Sequence, residues 1–381
     1  MAFVAAAMSE LIATIDGMSK NVLQGGDGWR VVRGDCLKVL PKLPDKSVDL
    51  IFADPPYNLQ LENTLYRPNL TRVDAVEDSW DKFPSFAEYD SFCKQWLGEC
   101  RRILKNDGAI WTIGTYHNIG RLTTIMQDMD FWLQNDVVWH KTNPMPNFRG
   151  VRFTNATETL IWAKKSKKGR AVFNHKTMKA ENDGKQMTSV WSFPICGGRE
   201  RLRDAAGKKQ HSTQKPEALL RRLILATSHR GDVVLDPFLG SGTTAAVARQ
   251  LGRIGVGIER ERRYVKIAVA RIAAVQQEIL LDEESPKVAP RVPFVKLIEF
   301  GIVKKRAMLY GKDGVTKACV LGDGNIKING VHNEVGSIHK IGAKATAAPS
   351  CNGWHFWLIK DKDGVKVPID ELRTQARKRM R

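Results

Sequence analysis

Two short runs of residues have the types and spacing that chemistry needs. The first is Asp54-Pro55-Pro56-Tyr57, directly after the apolar run Val48-Asp49-Leu50-Ile51-Phe52-Ala53. An aromatic amine is a poor nucleophile because its lone pair is delocalised into the ring. Two acceptors at its two N–H groups, the Asp54 carboxylate and the Pro55 carbonyl, would rehybridise the nitrogen and expose that pair. Tyr57 would stack on the ring face and hold the nitrogen in line. Little acid–base help is needed where the group being transferred already carries an excellent leaving group. The plain structural alternative is a Pro-Pro turn after a strand.

The second run is Asp236-Pro237-Phe238-Leu239-Gly240-Ser241-Gly242-Thr243-Thr244, which follows Val233-Val234-Leu235. Gly240-x-Gly242-x-x-Ala245 falls between a strand and a helix, where a tight turn and its amides can lie against a ligand. Glu259 closes the next strand, placed to accept hydrogen bonds from both hydroxyls of a ribose. That much also fits a nicotinamide-binding fold. Asp236 tilts the choice, because a carboxylate there would attract the cationic end of a sulfonium amino acid and repel a pyrophosphate. Pro237 and Phe238 supply an apolar wall. Adenosine joined to an amino acid fits better than a dinucleotide.

Elements must bring these runs together. From Trp29 onward, apolar β-rich stretches alternate with helical ones, which predicts a doubly wound α/β domain over 29–281. Val31-Val32 leads into Gly34-Asp35-Cys36, and a nearly all-apolar run such as 48–53 suits a strand buried on both faces. Ser85-x-x-Glu88 is a capping box, followed by a stripe of Phe86, Tyr89, Phe92, Trp96, Cys100 and Ile103. Further strands are expected at 108–113, 131–139, 157–163, 233–235 and 254–258, with helices at 216–228, up to 251, and 262–281. The polar stretch Asn58 to Lys82 has little periodicity and is expected to be a long loop, functional or mobile. Residues 1–28 read as a loosely attached extension, 282–293 as a Pro-rich linker, and 294–381 as a small β-rich domain.

The balance of 60 Lys and Arg against 41 Asp and Glu leaves +19, a field that attracts a polyanion, with nucleic acid as the leading partner. Lys164, Lys165, Lys167, Lys168, Arg170, Arg199, Arg201, Arg203, Lys208 and Lys209 cluster in the variable stretch 164–210 and suit phosphate contacts. Asn147, Arg149, Arg152 and Asn155 offer amides and forked donors for base edges. Six scattered cysteines without a C-x-x-C pair argue against zinc or a disulfide framework and for a reducing cytoplasm. No histidine cluster suggests a metal. No run is long and apolar enough to predict a membrane span or secretion.

At this point the residues resemble a known family. Asp54–Tyr57 and Asp236–Thr244 look like the catalytic and cofactor motifs of amino-group DNA methyltransferases, in the order of the β arrangement. Gly34-Asp35-Cys36 and Thr213-Gln214-Lys215-Pro216 are similar to that class's auxiliary cofactor segments. The resemblance is closer to the cell-cycle-regulated DNA adenine methyltransferases (CcrM family). It runs through Phe52–Leu61, Asn143–Phe148, Gly336–Gly342 and Cys351–Trp354, and covers nearly everything from residue 29 onward. It implies a Rossmann-like S-adenosylmethionine-dependent methyltransferase sheet, with Asp35 and Cys36 at the cofactor adenine and Lys215 near its carboxylate. It further implies 164–210 as the target-recognition segment, adenine in GANTC as the target, a homodimer, and a role linked to replication. DNA contacts are then expected from Asn58, Ser337, His339 and Trp354 as well, and Asn58 to Lys82 is the loop expected to fill the gap left by a displaced base, mobile without DNA and ordered with it. Rival readings are methylation of cytosine N4, an RNA base or a protein amide, a nicotinamide-dependent oxidoreductase built on Gly240 and Glu259, and a non-catalytic DNA-binding protein.

Overall fold

The computed structural model describes residues 2–18, 22–24, 28–59, 81–147, 150–204, 206–211, 213–278, 292–328, 334–348, 351–361 and 364–379. The chain divides into two compact units, Met1–Glu283 and Glu284–Arg381.

In the first unit a helix α1 (Ala2–Gly17) precedes β1 (Val22–Gln24), β2 (Trp29–Arg33), α2 (Cys36–Val39) and β3 (Val48–Ala53). Then come α3 (Phe86–Ile103), β4 (Leu104–Gly114), α4 (Ile119–Asp128), β5 (Trp132–Lys141), β6 (Thr157–Lys164), α5 (His175–Ala180) and β7 (Val190–Phe193). The unit closes with α6 (Glu217–Thr227), β8 (Val233–Asp236), α7 (Thr243–Gln250), β9 (Ile254–Glu259) and α8 (Arg262–Ala273). The strands form one sheet in the order β1-β2-β9-β8-β3-β4-β6-β5-β7. From β2 to β4 neighbours run parallel, whereas β6 runs antiparallel to both β4 and β5.

The apolar run at 48–53 is explained by burial on both faces. Ile51 and Ala53 join a core that contains Tyr89, Trp96 and Cys100 of α3; Leu50 and Phe52 join the opposite core with Leu219 and Leu223 of α6 and Val247 of α7. Ser85 caps α3 as its sequence predicts, accepting a hydrogen bond from the Glu88 amide at 3.2 Å. One expectation is overturned at the N-terminus. Leu11 and Ile15 of α1 are fully buried in the first core, and Arg30 pairs with Asp16 at 2.7 Å. Burying two such side chains stabilises by roughly 1.5–3 kcal/mol each, so the segment is docked and not loosely attached. At the other end α8 stops at Ala273, short of the expected 281. There the chain turns so that the Glu278 amide donates to the Gln250 carbonyl at 2.8 Å and the Glu278 carboxylate accepts from the Gln250 side chain.

The second unit begins with α9 (Phe294–Glu299) and holds an antiparallel sheet of β10 (Met308–Gly311), β11 (Lys317–Val320), β12 (Ile326–Ile328), β13 (Val335–Gly336), β14 (Trp357–Lys360) and β15 (Lys366–Pro368). Helices α10 (Ile338–Ala345), α11 (Gly353–Phe356) and α12 (Ile369–Arg379) accompany it. Trp357 is fully buried, with its indole N–H donating to the Ile338 carbonyl at 2.9 Å. The expected β-rich character is present, with more helix than the sequence reading allowed. The expected linker falls largely in 279–291, outside the described residues.

Candidate active site

The sheet order places β2, β9, β8 and β3 side by side and parallel, so their carboxyl ends share one edge, where open α/β sheets bind ligands. Leu50 pairs with Val234 and Ile51 with Leu235, so Asp54 and Asp236 emerge from adjacent strand tips although distant in sequence. Both line one cavity of about 360 Å³, together with Asp35, Cys36, Phe238, Gly240, Lys215 and Glu259.

One half of the cavity is the glycine turn. Asp236 is 2% exposed; its carboxylate accepts from the Phe238 amide at 2.9 Å and the Thr244 hydroxyl at 2.5 Å. Burial pushes this carboxyl up to about 7, against those two hydrogen bonds. Glu259 accepts from the Gly240 amide at 2.8 Å and the Glu261 amide at 2.7 Å, which fixes the turn against the strand end. Gly240 has φ +54, and a Cβ there would lie 2.9 Å from His211 Nε2, a side chain that also lines the cavity. His211 packs on Tyr264 with ring centroids 4.4 Å apart, and burial lowers its imidazole to about 4, so it stays neutral. Burial raises the Cys36 thiol to about 12, so this cysteine offers no thiolate.

The donor set suits the sulfonium amino acid expected from sequence: a buried carboxylate at Asp236, a second at Glu259, and the aromatic wall of Phe238 backed edge-on by Trp96 at 5.3 Å. Pro237, Ser241, Thr213, Thr243 and Thr244 line the same space. Gly242 does not. Its φ is +84, and a Cβ would lie 2.9 Å from the Ala268 Cα of α8, so it serves close packing of turn and helix.

The other half surrounds Asp54. The Lys215 ammonium pairs with its carboxylate at 2.6 Å. Burial pushes the Asp54 carboxyl up, and Lys215 pulls it back. Burial alone would lower Lys215, yet Asp54 and Glu158 outweigh it and keep the ammonium charged. The Tyr57 hydroxyl donates to Glu158 at 3.1 Å, and Glu158 also pairs with Lys141 at 2.8 Å. Burial raises the Tyr57 phenol well above its usual range, which keeps it a donor. Asp81 collects the amides of Tyr57, Asn58 and Leu59 at 2.6, 3.0 and 3.1 Å, and the Tyr89 hydroxyl donates to the Pro56 carbonyl at 2.9 Å. These contacts fix the turn after Asp54, where Asn58 takes φ +53.

The family description "DNA methylase" (N6/N4 methyltransferases) matches residues 48–270. The chain belongs to the N6/N4 DNA methylase family. A second description, "Restriction Enzyme Adenine Methylase Associated", matches 274–381. The chain is 48% identical to the Type II methyltransferase M.HinfI of Haemophilus influenzae, over 90% of this chain and 95% of that one. It is 42% identical to the Type II methyltransferase M2.DpnII of Streptococcus pneumoniae, over 64% of this chain and 89% of that one. Among solved structures, the cytosine-N4-specific PvuII DNA methyltransferase shares the fold at 20% identity and a TM-score of 0.52, over 70% of this chain and 92% of that one.

For a DNA methylase, the remaining sequence expectations concern DNA, and the fold sorts them. Lys164 and Lys165 are misplaced. Antiparallel β6 pairs Thr159 with Gly114 near the Asp54 edge but Lys164 with Ala109, roughly 17 Å away along the strand. Their ammonium groups bond backbone carbonyls there, Lys164 at Gly169 and Lys165 at Leu104. Asn58 is 4% exposed and accepts from the Phe83 amide, so it braces the turn and does not face solvent. Trp354 is a core residue: its ring meets Phe294 edge-on at 5.9 Å and carries the Arg373 guanidinium at 4.4 Å. Ser337 caps α10 and His339 accepts from the Gly353 amide, although both stay exposed. Arg152 lies in the loop between β5 and β6, at the Asp54 edge of the sheet, bonded to the Tyr116 hydroxyl. Asn147 is in the same loop; Arg149 lies outside the described residues, as does most of the expected base-displacing loop (60–80). Sequence reasoning missed Glu158, Lys141, Asp81 and His211 at the site. It also missed Phe153, 98% exposed beside Arg152. No helix among the described residues is long and apolar enough to cross a membrane.

Proposed function

We propose that this DNA methylase transfers the methyl group of S-adenosylmethionine to the N6 amine of adenine, flipped from a GANTC site in double-stranded DNA, and works as a homodimer in the cytoplasm. The observation that carries the reading is the placement of Asp54 and Asp236 at neighbouring strand tips on one cavity. Asp236 would take the cationic amino-acid end of the cofactor, Glu259 its ribose, Phe238 the adenine face, and Asp35 and Cys36 the adenine edge. When bound, the cofactor supplies the activated methyl.

The chain's own residues supply orientation. The Asp54 carboxylate and Pro55 carbonyl accept the two N–H groups of the target amine, Tyr57 stacks on the base, and Asp54 is placed to take the proton released once the nitrogen is methylated. Adenine is supported by the adenine-methylase-associated match over the C-terminal unit; GANTC and the dimer rest on the family resemblance of the sequence. The loop carrying Asn147, Arg152 and Phe153 is the surface we assign to the duplex. The deciding experiment is a methylation map of unmethylated duplex after reaction, with the modified base identified by mass spectrometry. N4-methylcytosine, or no product, would overturn the assignment. Affinity for duplex should fall linearly in log–log form with salt, as phosphate neutralisation requires; a flat response would remove charge from the explanation.

Cofactor binding should depend on pH through Asp236. Its carboxyl, pushed up to about 7, is protonated below that value and must lose the proton before it can attract a cation. Affinity for S-adenosylmethionine is therefore expected to fall as pH drops below about 7, by up to about tenfold per unit. Asp236→Asn should bind weakly with a flattened profile. Calorimetric titration across that range checks this, and an unchanged wild-type affinity would detach Asp236 from the cofactor.

A further inference from the structure

Beside the large cavity lies a second space of only about 40 Å³, lined by Asp54, Pro55, Tyr57, Leu59, Asp81, Thr213 and Lys215. This is where the proposed reading puts the target base, and by the same measure it is about one ninth of the large cavity. The position a base would take against Asp54 and Tyr57 is held by Lys215. Its ammonium donates to the Asp54 carboxylate at 2.6 Å and lies 5.2 Å from the centroid of the Tyr57 ring. Those are the two contacts the base needs: an N–H donor on Asp54 and a partner on the tyrosine face. Lys215 is 9% exposed and lines both cavities, so it stands in the partition between them.

We propose that Lys215 is a placeholder for the target base, and that it leaves Asp54 only when the cofactor's carboxylate offers the ammonium a second anion. The inference rests on the flipped-base reading above and adds an order of events to it. With Lys215 in place, a buried carboxylate keeps its counter-ion and no base can seat. Once a carboxylate enters the larger cavity, the cation has an alternative partner and the space beside Tyr57 opens. Glu158, 3.9 Å from Lys215 and bonded to Tyr57, keeps a negative charge beside the path and orients the ring throughout. Lys215 thus makes base capture conditional on a loaded cofactor site.

The test uses the full chain and a duplex carrying the site found by the methylation map, with 2-aminopurine, fluorescent when unstacked, at the modified base. S-adenosylhomocysteine serves as the carboxylate-bearing probe that cannot react. The wild type is expected to capture the base weakly alone and about tenfold or more tightly with the probe. Lys215→Met should capture it without the probe and lose the dependence, while Lys215→Arg should retain occlusion. Melting curves confirm that each variant is folded, and Lys215→Gln replaces Lys215→Met should the latter not fold. Full capture by the wild type without the probe, or unchanged probe dependence in the neutral variants, would overturn the placeholder. No fluorescence gain by the wild type even with the probe would instead overturn base flipping, and the placeholder with it.

Discussion

Asp54→Asn is expected to lower single-turnover methyl transfer by about 10²–10³-fold, with cofactor affinity no weaker than wild type. The substitution keeps shape and packing but removes the negative charge aimed at the amine, whose nitrogen becomes cationic as the methyl arrives. A neutral amide oxygen also accepts the amine hydrogen more weakly, so the lone pair is less exposed. Asn is a cleaner probe than Ala. Both substitutions leave the buried Lys215 ammonium without its counter-ion, but Asn keeps an oxygen that can accept from it, whereas Ala also removes that acceptor and confounds chemistry with folding more strongly. Quench-flow measurement of transfer beside a binding titration separates the two. Loss of cofactor binding with the transfer step intact would move Asp54 out of the catalytic role.

Gly242→Ala is the second large effect, and it acts on stability. The residue sits at φ +84, and the added methyl would meet the Ala268 backbone at 2.9 Å. Left-handed strain and overpacking together are expected to destabilise the first unit by on the order of 3 kcal/mol. Gly240→Ala, two residues earlier, provides the contrast. Its methyl would meet the His211 side chain at 2.9 Å, inside the cavity, so cofactor affinity should suffer more than the melting temperature. Denaturant unfolding and titration of both variants check this; a Gly242→Ala protein as stable as wild type would show that α8 can shift away.

The parts of the site that sequence revealed are those encoded locally. Asp54 and Tyr57 follow a strand whose apolar run declares burial on both faces, and Asp236 opens a glycine turn between a strand and a helix, so motif and context are contiguous. Glu158, Lys141 and Asp81 were invisible for the opposite reason. Each is an ordinary charged residue on its own segment; the pairing of β6 with β4, itself beside β3, brings Glu158 to Tyr57, and the pairing of β5 with β6 brings Lys141 to Glu158. Lys164 and Lys165 misled because composition has no direction: a reversed strand carried them to the far edge of the sheet. Trp354 misled because aromatic residues serve cores and bases alike, and only its contacts with Phe294 and Arg373 decide. The docking of α1 was legible in principle. Met8, Leu11, Ile15 and Met18 form a helical stripe, and these four residues belong to or pack on the first core.

The strand order has a consequence for how the enzyme is made. β2 and β3 leave the ribosome early, but β9 and β8, the parallel neighbours that complete their inner edges, are synthesised some two hundred residues later. At typical elongation rates of about 5–20 residues per second, the gap lasts on the order of ten seconds or more. Throughout that interval the nascent chain presents unsatisfied strand edges flanked by apolar side chains. A chain arrested before Asp236 also lacks the glycine turn and Glu259, and so has half of the reaction centre missing.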